Sequence, residues 1–241
     1  MKTSRLICLM VGRKIAPSAT GLVVALALAS CASVTVEPGQ ERSTQRMPDL
    51  VYVMPFGTSH ADFEVDRTGA ELAEFKKNLQ LMMKTAIITD LTDRLVPAVD
   101  GTKSGTAPAM NAWVVRGQFT TVKQGSRLLR SAIGFGAGGT KVETRVEVYD
   151  FAEQGGAPIL TFSTTGGSGA EPGAILAFTT DPLTIAIGGV SGAAHGLSED
   201  TKRTARMITA QLSDYMYRHG WITKDKWIKP KQPSGNDTGE F

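Results

Sequence analysis

The stretch Lys141–Val148 (KVETRVEV) constrains this chain more than any other. Val142, Thr144, Val146 and Val148 are apolar or β-branched, and Glu143, Arg145 and Glu147 fill the positions between them. A strict period of two predicts a strand with one face buried and one face in water. Upstream, Val115, Phe119 and Thr121 alternate less cleanly with Arg116, Gln118 and Thr120, and predict a second strand from Trp113 onward. Between the two lie Arg127, Leu128, Arg130, Ile133, Gly134, Phe135, Gly136, Gly138 and Gly139. That is far more chain than a tight hairpin needs. The connection is therefore a candidate interaction segment, apolar and flanked by cations, suited to a membrane surface or a partner protein. A glycine-rich bulge that only lets neighbouring elements pack on the sheet is the alternative use.

The run GSRLLRSAIGFGAGGTKVETRVEVYD resembles the signature of bacterial lipoproteins grouped as domain of unknown function 4410. In that family a strand, a G-S-R-x-x-R turn, a GFGAG segment and an alternating strand follow one another. The resemblance spans residues 47 to 222. It implies an envelope location and supplies no catalytic residues.

The N-terminus is that of a secreted chain. Lys2, Arg5, Arg13 and Lys14 precede the apolar run Gly21 to Ala29, with no acidic residue before Glu37. A charged region followed by a short apolar region is a secretory signal, too short for a stable membrane span. It ends in Leu28-Ala29-Ser30-Cys31, which resembles a lipobox, with cleavage between Ser30 and Cys31 and lipidation of Cys31. Acyl chains contribute roughly 0.8 kcal/mol per buried CH₂, so several of them anchor a protein firmly. Ala32 after the cysteine, by resemblance to enterobacterial sorting, implies the periplasmic face of the outer membrane. Cys8 leaves with the signal, so no disulfide forms within one mature chain.

Charge excludes one class of partner. The full chain carries +3, but the signal holds four of the 26 Lys+Arg and none of the 23 Asp+Glu. The mature part thus has 22 basic and 23 acidic side chains, formally −1, and offers no electrostatic footprint for nucleic acid.

The expected organisation is a signal peptide at 1–30, a polar tether at 31–46, one α+β domain at 47–229 and a disordered tail at 230–241. Leu50–Phe56 predicts a buried strand that ends at Pro55 and Gly57. Thr68-Gly69-Ala70-Glu71 predicts a capping box. Leu72, Phe75, Leu79, Met83, Ala86 and Ile87 then fall on one helical face, and the helix should stop before Pro97. Residues 100–108 read as loop. Pro158–Thr164 predicts a strand reached by a turn at Gly155-Gly156 and ended by Gly166, Gly167 and Gly169. Gly188, Gly192 and Gly196, in an apolar segment, are candidate helix-packing glycines at i, i+4, i+8. A last helix should start at Ser198, bury Ala205, Ile208, Leu212, Tyr215 and Met216, and stop at Gly220, with Trp221 and Ile222 folding back. The expected fold is a mainly antiparallel sheet of about four strands with two main helices on one face.

The residues argue against catalysis. Gly134–Gly139 fits G-x-G-x-x-G but runs straight into a strand, where a dinucleotide site needs the start of a helix. His60, His195 and His219 have no metal-ligand spacing. Ser168 and Ser191 lack the nucleophile-elbow pattern. No cofactor or metal is expected. The leading expectation is an outer-membrane-anchored periplasmic lipoprotein that is a non-catalytic binding or assembly module, with a protein partner or self-association in the envelope. The alternative is a self-associating or membrane-inserting oligomer built through the glycine-rich segments, and a third, weaker reading is an envelope hydrolase.

Overall fold

In the computed structural model the residues described are 33–44, 46–103, 111–125, 139–153, 156–168 and 192–233. They form seven strands and two helices: β1 (Ser33–Glu41), β2 (Leu50–Val53), β3 (Asp62–Glu64), α1 (Gly69–Arg94), β4 (Ala98–Asp100), β5 (Ala112–Lys123), β6 (Thr140–Asp150), β7 (Leu160–Ser168) and α2 (Gly192–Arg218). The sheet order is β1-β7-β6-β5-β2-β4, with β3 alongside β5. The α+β class holds, but the sheet is larger than expected and mixed. β1, β7, β6 and β5 pair antiparallel, whereas β2 pairs parallel with both β4 and β5. The parallel part follows from α1, a crossover helix that returns the chain beside β2 in the same direction.

β6 behaves as its pattern dictates: Val142, Thr144, Val146 and Val148 are buried and Arg145 is exposed. β5 shows why its own alternation is imperfect. The register shifts between Phe119 and Thr121, so Thr120 is an extra residue opposite β6. This bulge changes parity, and the buried set passes from Trp113, Val115 and Phe119 to Val122. Val36 of β1, Val51 and Val53 of β2, Val115 and Val122 of β5 and Val142, Val146 and Val148 of β6 form one core cluster with Phe75, Leu79, Met82, Met83, Ile87 and Leu91 of α1 and Ala205, Ile208, Leu212, Tyr215 and Met216 of α2.

Several expectations are corrected. The tether does not extend over Ser33–Glu41, which form the edge strand β1 paired with β7, with Val34 and Val36 buried. β7 does not stop at Gly166 and Gly167. A Cβ on either would lie 2.2 Å from Ser33 O or 2.0 Å from Thr140 O, so glycine is what lets the flanking strands close on it. Thr68 is the N-cap of α1 but makes no side-chain cap bond, because Gly69 follows at φ +56 and turns the first residues away from capping-box geometry. α2 starts at Gly192 rather than Ser198, so Ser198 and Asp200 are buried inside the helix. α1 ends before Pro97 and α2 stops at Gly220 (φ +72), where Trp221 N–H donates to Met216 O (3.0 Å).

The far side of α2 is covered by the residues that follow it. Ser213 Oγ accepts from Ile228 N (2.8 Å), Trp227 Nε1 donates to Asp214 (3.0 Å), and Trp227 stacks on Tyr217 at 4.8 Å. Pro230 is buried and Lys231 O accepts from Val36 N at 2.6 Å, so these residues of the expected disordered tail close the outer edge of β1. Because α2 is covered on both sides, its polar residues Thr201, Thr204, Thr209, Gln211 and Ser213 are buried too. Thr209 Oγ1 has no hydrogen-bond partner among the described residues. An unsatisfied buried hydroxyl costs about 1–3 kcal/mol. Thr209→Val, which keeps the branched shape, should therefore stabilise the protein by about 1 kcal/mol. A urea midpoint that rises at constant slope is the expected reading, and a midpoint that falls would mean that the oxygen is paired.

Candidate functional site

The two glycine-rich connections leave and re-enter the fold at one place. Ser33 of β1 is paired with Gly167 of β7, Gly167 with Lys141 of β6, Lys141 with Lys123 of β5, and Lys123 with Glu64 of β3. These residues mark one end of the sheet. The chain enters residues 126–138 from Gly125 and returns by Gly139, and it enters residues 169–191 from Ser168. It returns into α2 two turns before Asp200, whose carboxylate accepts from Thr140 Oγ1 at 2.5 Å. Both connections and the start of β1 therefore share this end.

Its surface is charged and internally paired. Lys123 binds Glu64, and Lys141 lies 2.7 Å from Glu143. The bond to Glu64 raises the Lys123 pKa. Burial pushes the Glu143 carboxyl up, but hydrogen bonds from Lys141 and Thr121 outweigh it and leave the group below the ordinary range. Gln124 Oε1 accepts from Arg67 (2.9 Å) and from Asp66 N (3.2 Å), fixing the entry to α1. Arg67 lies over Phe75 at 4.6 Å and Lys76 over Phe63 at 4.5 Å.

Behind this surface a buried polar seam joins α2 to the sheet. Asp200, fully buried, takes Thr140 on one oxygen and Arg203 on the other (3.3 Å). Thr144 and Thr164 share a 2.8 Å hydroxyl bond across β6 and β7. Thr201 and Thr204 donate to Leu197 O and Asp200 O, one turn back. Of these bonds, the one from Thr140 to Asp200 crosses from the sheet to the helix and ties α2 to the start of β6.

The opposite end is aromatic. Trp113 packs against Tyr215 (5.5 Å) and Trp221 (6.0 Å), and His219 stacks on Trp221 (5.0 Å) and lies tilted against Tyr215 (4.3 Å). Tyr215 OH donates to Arg42 O (2.6 Å), and Arg218 forms a forked pair with Glu41 (2.5 and 2.8 Å). Those bonds to Glu41 raise the Arg218 pKa. The C-terminus of α2 is thereby fixed to the end of β1.

Among the expected site residues, Ser30, Cys31, Arg127, Leu128, Arg130, Ile133, Gly134, Phe135, Gly136, Gly138 and Gly188 lie outside the described residues. Gly192 and Gly196 lie in the first turns of α2. Sequence reasoning missed Asp200 as a buried partner of Thr140, because an acid near a helix start reads as a dipole complement. Among the described residues no group of three or more His, Cys, Asp or Glu is placed to hold a metal ion. No described helix is long and apolar enough to cross a membrane.

A family model described as Domain of unknown function (DUF4410) matches residues 36–189, from within β1 onward. Comparison with curated proteins finds no match. Among solved structures the chain is similar to the PelC dodecamer from Paraburkholderia phytofirmans, at 13% identity and a TM-score of 0.35, over 71% of this chain and 98% of that one. A dodecamer of a single-substitution variant of the same protein gives 12% identity and a TM-score of 0.34, over 72% and 98%.

Proposed function

This chain belongs to the DUF4410 family, and on that premise we propose that it is a lipid-anchored binding or assembly module of the bacterial envelope. The observation that carries the reading is the sequence Leu28-Ala29-Ser30-Cys31, set immediately before the first strand of the domain. Small residues before the cysteine let a peptidase take the backbone extended, and the thiol after the cut accepts the diacylglycerol. Ala32 favours the outer membrane, with the domain on the periplasmic side. The surface at the Ser33, Lys123 and Lys141 end is the one from which both glycine-rich connections emerge, and it is the natural place for a protein partner.

Intact-mass spectrometry of protein extracted from native membranes tests the anchor. The expected species begins at Cys31 and carries acyl chains, and Cys31→Ala should leave the membrane fraction. A mature protein that is soluble and unacylated sinks the proposal. Crosslinking in native membranes then tests the module. Crosslinks from Lys123 and Lys141 to one defined envelope complex are expected, whereas crosslinks only between copies of the chain would favour a homo-oligomer.

A further inference from the structure

We propose that the segment from Thr223 to Lys231 is a basic strap that docks on the anionic headgroups of a bilayer. The mature chain is formally −1, yet this run (TKDKWIKPK) holds four lysines and a single acid. Lys224, Lys226, Lys229 and Lys231 are all exposed, and none has an ion-pair partner among the described residues. Lys84, Lys123, Lys141 and Lys202, by contrast, each lie against a carboxylate. The strap's own acid, Asp225, takes hydrogen bonds from Thr223 and from its own backbone N–H, and these lower its pKa.

The charges are fixed to the domain. Lys226 N donates to Thr223 O (3.0 Å) and Trp227 N to Lys224 O (3.3 Å), which folds the first lysines into two successive turns. Trp227 and Ile228 are then held on α2 by Asp214 and Ser213, Pro230 is buried, and Lys231 O accepts from Val36 N. The apolar side chains of the strap thus serve the domain, and only its cations are left for a partner.

The choice of a bilayer as that partner rests on lipidation of Cys31. Val36 follows Cys31 by five residues, so at most about 18 Å of chain separates the acylated residue from the bond that holds Lys231. An acyl chain and a polybasic patch are the two signals that together make membrane attachment stable. Lysines suit the diffuse charge of a headgroup surface, because each is a point charge on a flexible stem and needs no matching fork. Each one near such a surface favours attachment about fivefold.

The test places the full protein, extracted from native membranes, in vesicles of phosphatidylcholine alone and of equal parts phosphatidylcholine and phosphatidylglycerol. Flotation with the phosphatidylcholine vesicles reads the acyl anchor alone. Acetylation by a water-soluble reagent, followed site by site by mass spectrometry, reads the strap, with exposed Lys77 as the internal control. At low salt, acetylation of Lys224, Lys226, Lys229 and Lys231 is expected to slow about fivefold on the phosphatidylglycerol vesicles, to recover at high salt, and to stay unchanged at Lys77. Equal rates on both vesicles overturn the strap and leave the anchor standing. Protection in native membranes but not on phosphatidylglycerol also overturns it, and gives the lysines to an acidic protein. Protein that floats only with the phosphatidylglycerol vesicles removes the anchor and keeps the strap, and protein that floats with neither overturns both.

Discussion

Lys84→Ala should destabilise the domain by about 3 kcal/mol and reshape its response to acid. Lys84 Nζ on α1 lies 2.6 Å from Asp100 Oδ2 at the end of β4, and the two side chains are only 10% and 15% exposed. Asp100 Oδ1 also takes the backbone N–H and hydroxyl of Thr102, at 3.0 and 2.7 Å. Removing the ammonium leaves a largely buried carboxylate without its counter-charge, which is the costly half of a buried pair. Burial by itself would raise the Asp100 pKa, but the bonds from Lys84 and Thr102 bring it down to about 2 from 3.8. A carboxyl whose pKa is lower folded than unfolded stabilises the folded state above the unfolded value. The native protein should thus lose roughly 2 kcal/mol as pH falls from about 4 through 2, at 1.36 kcal/mol per pK unit. In Lys84→Ala that acid-dependent loss should shrink. Urea melts at pH 7 and pH 3 check both statements, and equal acid sensitivity in the two proteins would count against the pairing.

The second large effect is expected from Gly117→Ala. A Cβ at Gly117 would lie 2.2 to 2.4 Å from three ring carbons of Phe56. That ring cannot yield cheaply. It is fully buried, it packs on Phe119 at 5.8 Å, and Gln80 Nε2 holds its carbonyl at 2.6 Å. The next residue, Gly57, is fixed to β5 by bonds to Gly117 O and from Phe119 N. The methyl must therefore force the ring off its rotamer or push the chain after β2 away from the sheet. A loss of about 3 kcal/mol is expected, or about 6–12 °C in the melting temperature of a domain this size. Gly57→Ala is the control, because its Cβ meets nothing nearer than 3.7 Å, and it should cost far less. Phe56→Leu combined with Gly117→Ala should be less damaging than the sum of the two. Strict additivity would show that the clash is not with Phe56.

How much of this was legible depends on how local each signal is. β6 was readable because its two faces meet different environments over eleven residues. The α2 core positions were readable for the same reason at helical spacing. β1 carried a usable signal, Ser33-Val34-Thr35-Val36, but Pro38, Gly39 and Gln40 follow it and read as linker. Its strand character comes from β7, between 119 and 134 residues away along the chain. β3 and β4 have three residues each, too few for any period to show. The glycines of β7 read as a stop because their role depends on how closely β1 and β6 approach. The shared end was not legible at all. It follows from the register of five strands, and register belongs to the folded sheet rather than to any one segment.

That register also sets how the domain bears a load. A pull on the chain before Ser33, resisted at the aromatic end, acts along the axis of β1. The ladder bonds between β1 and β7 lie across that axis and are stressed together, in shear, instead of opening one after another. The bond from Val36 to Lys231 and the forked pair between Glu41 and Arg218 brace the same strand from its other side and its far end. An edge strand is ordinarily the first to peel from a sheet. Here the direction of pull makes it a cable.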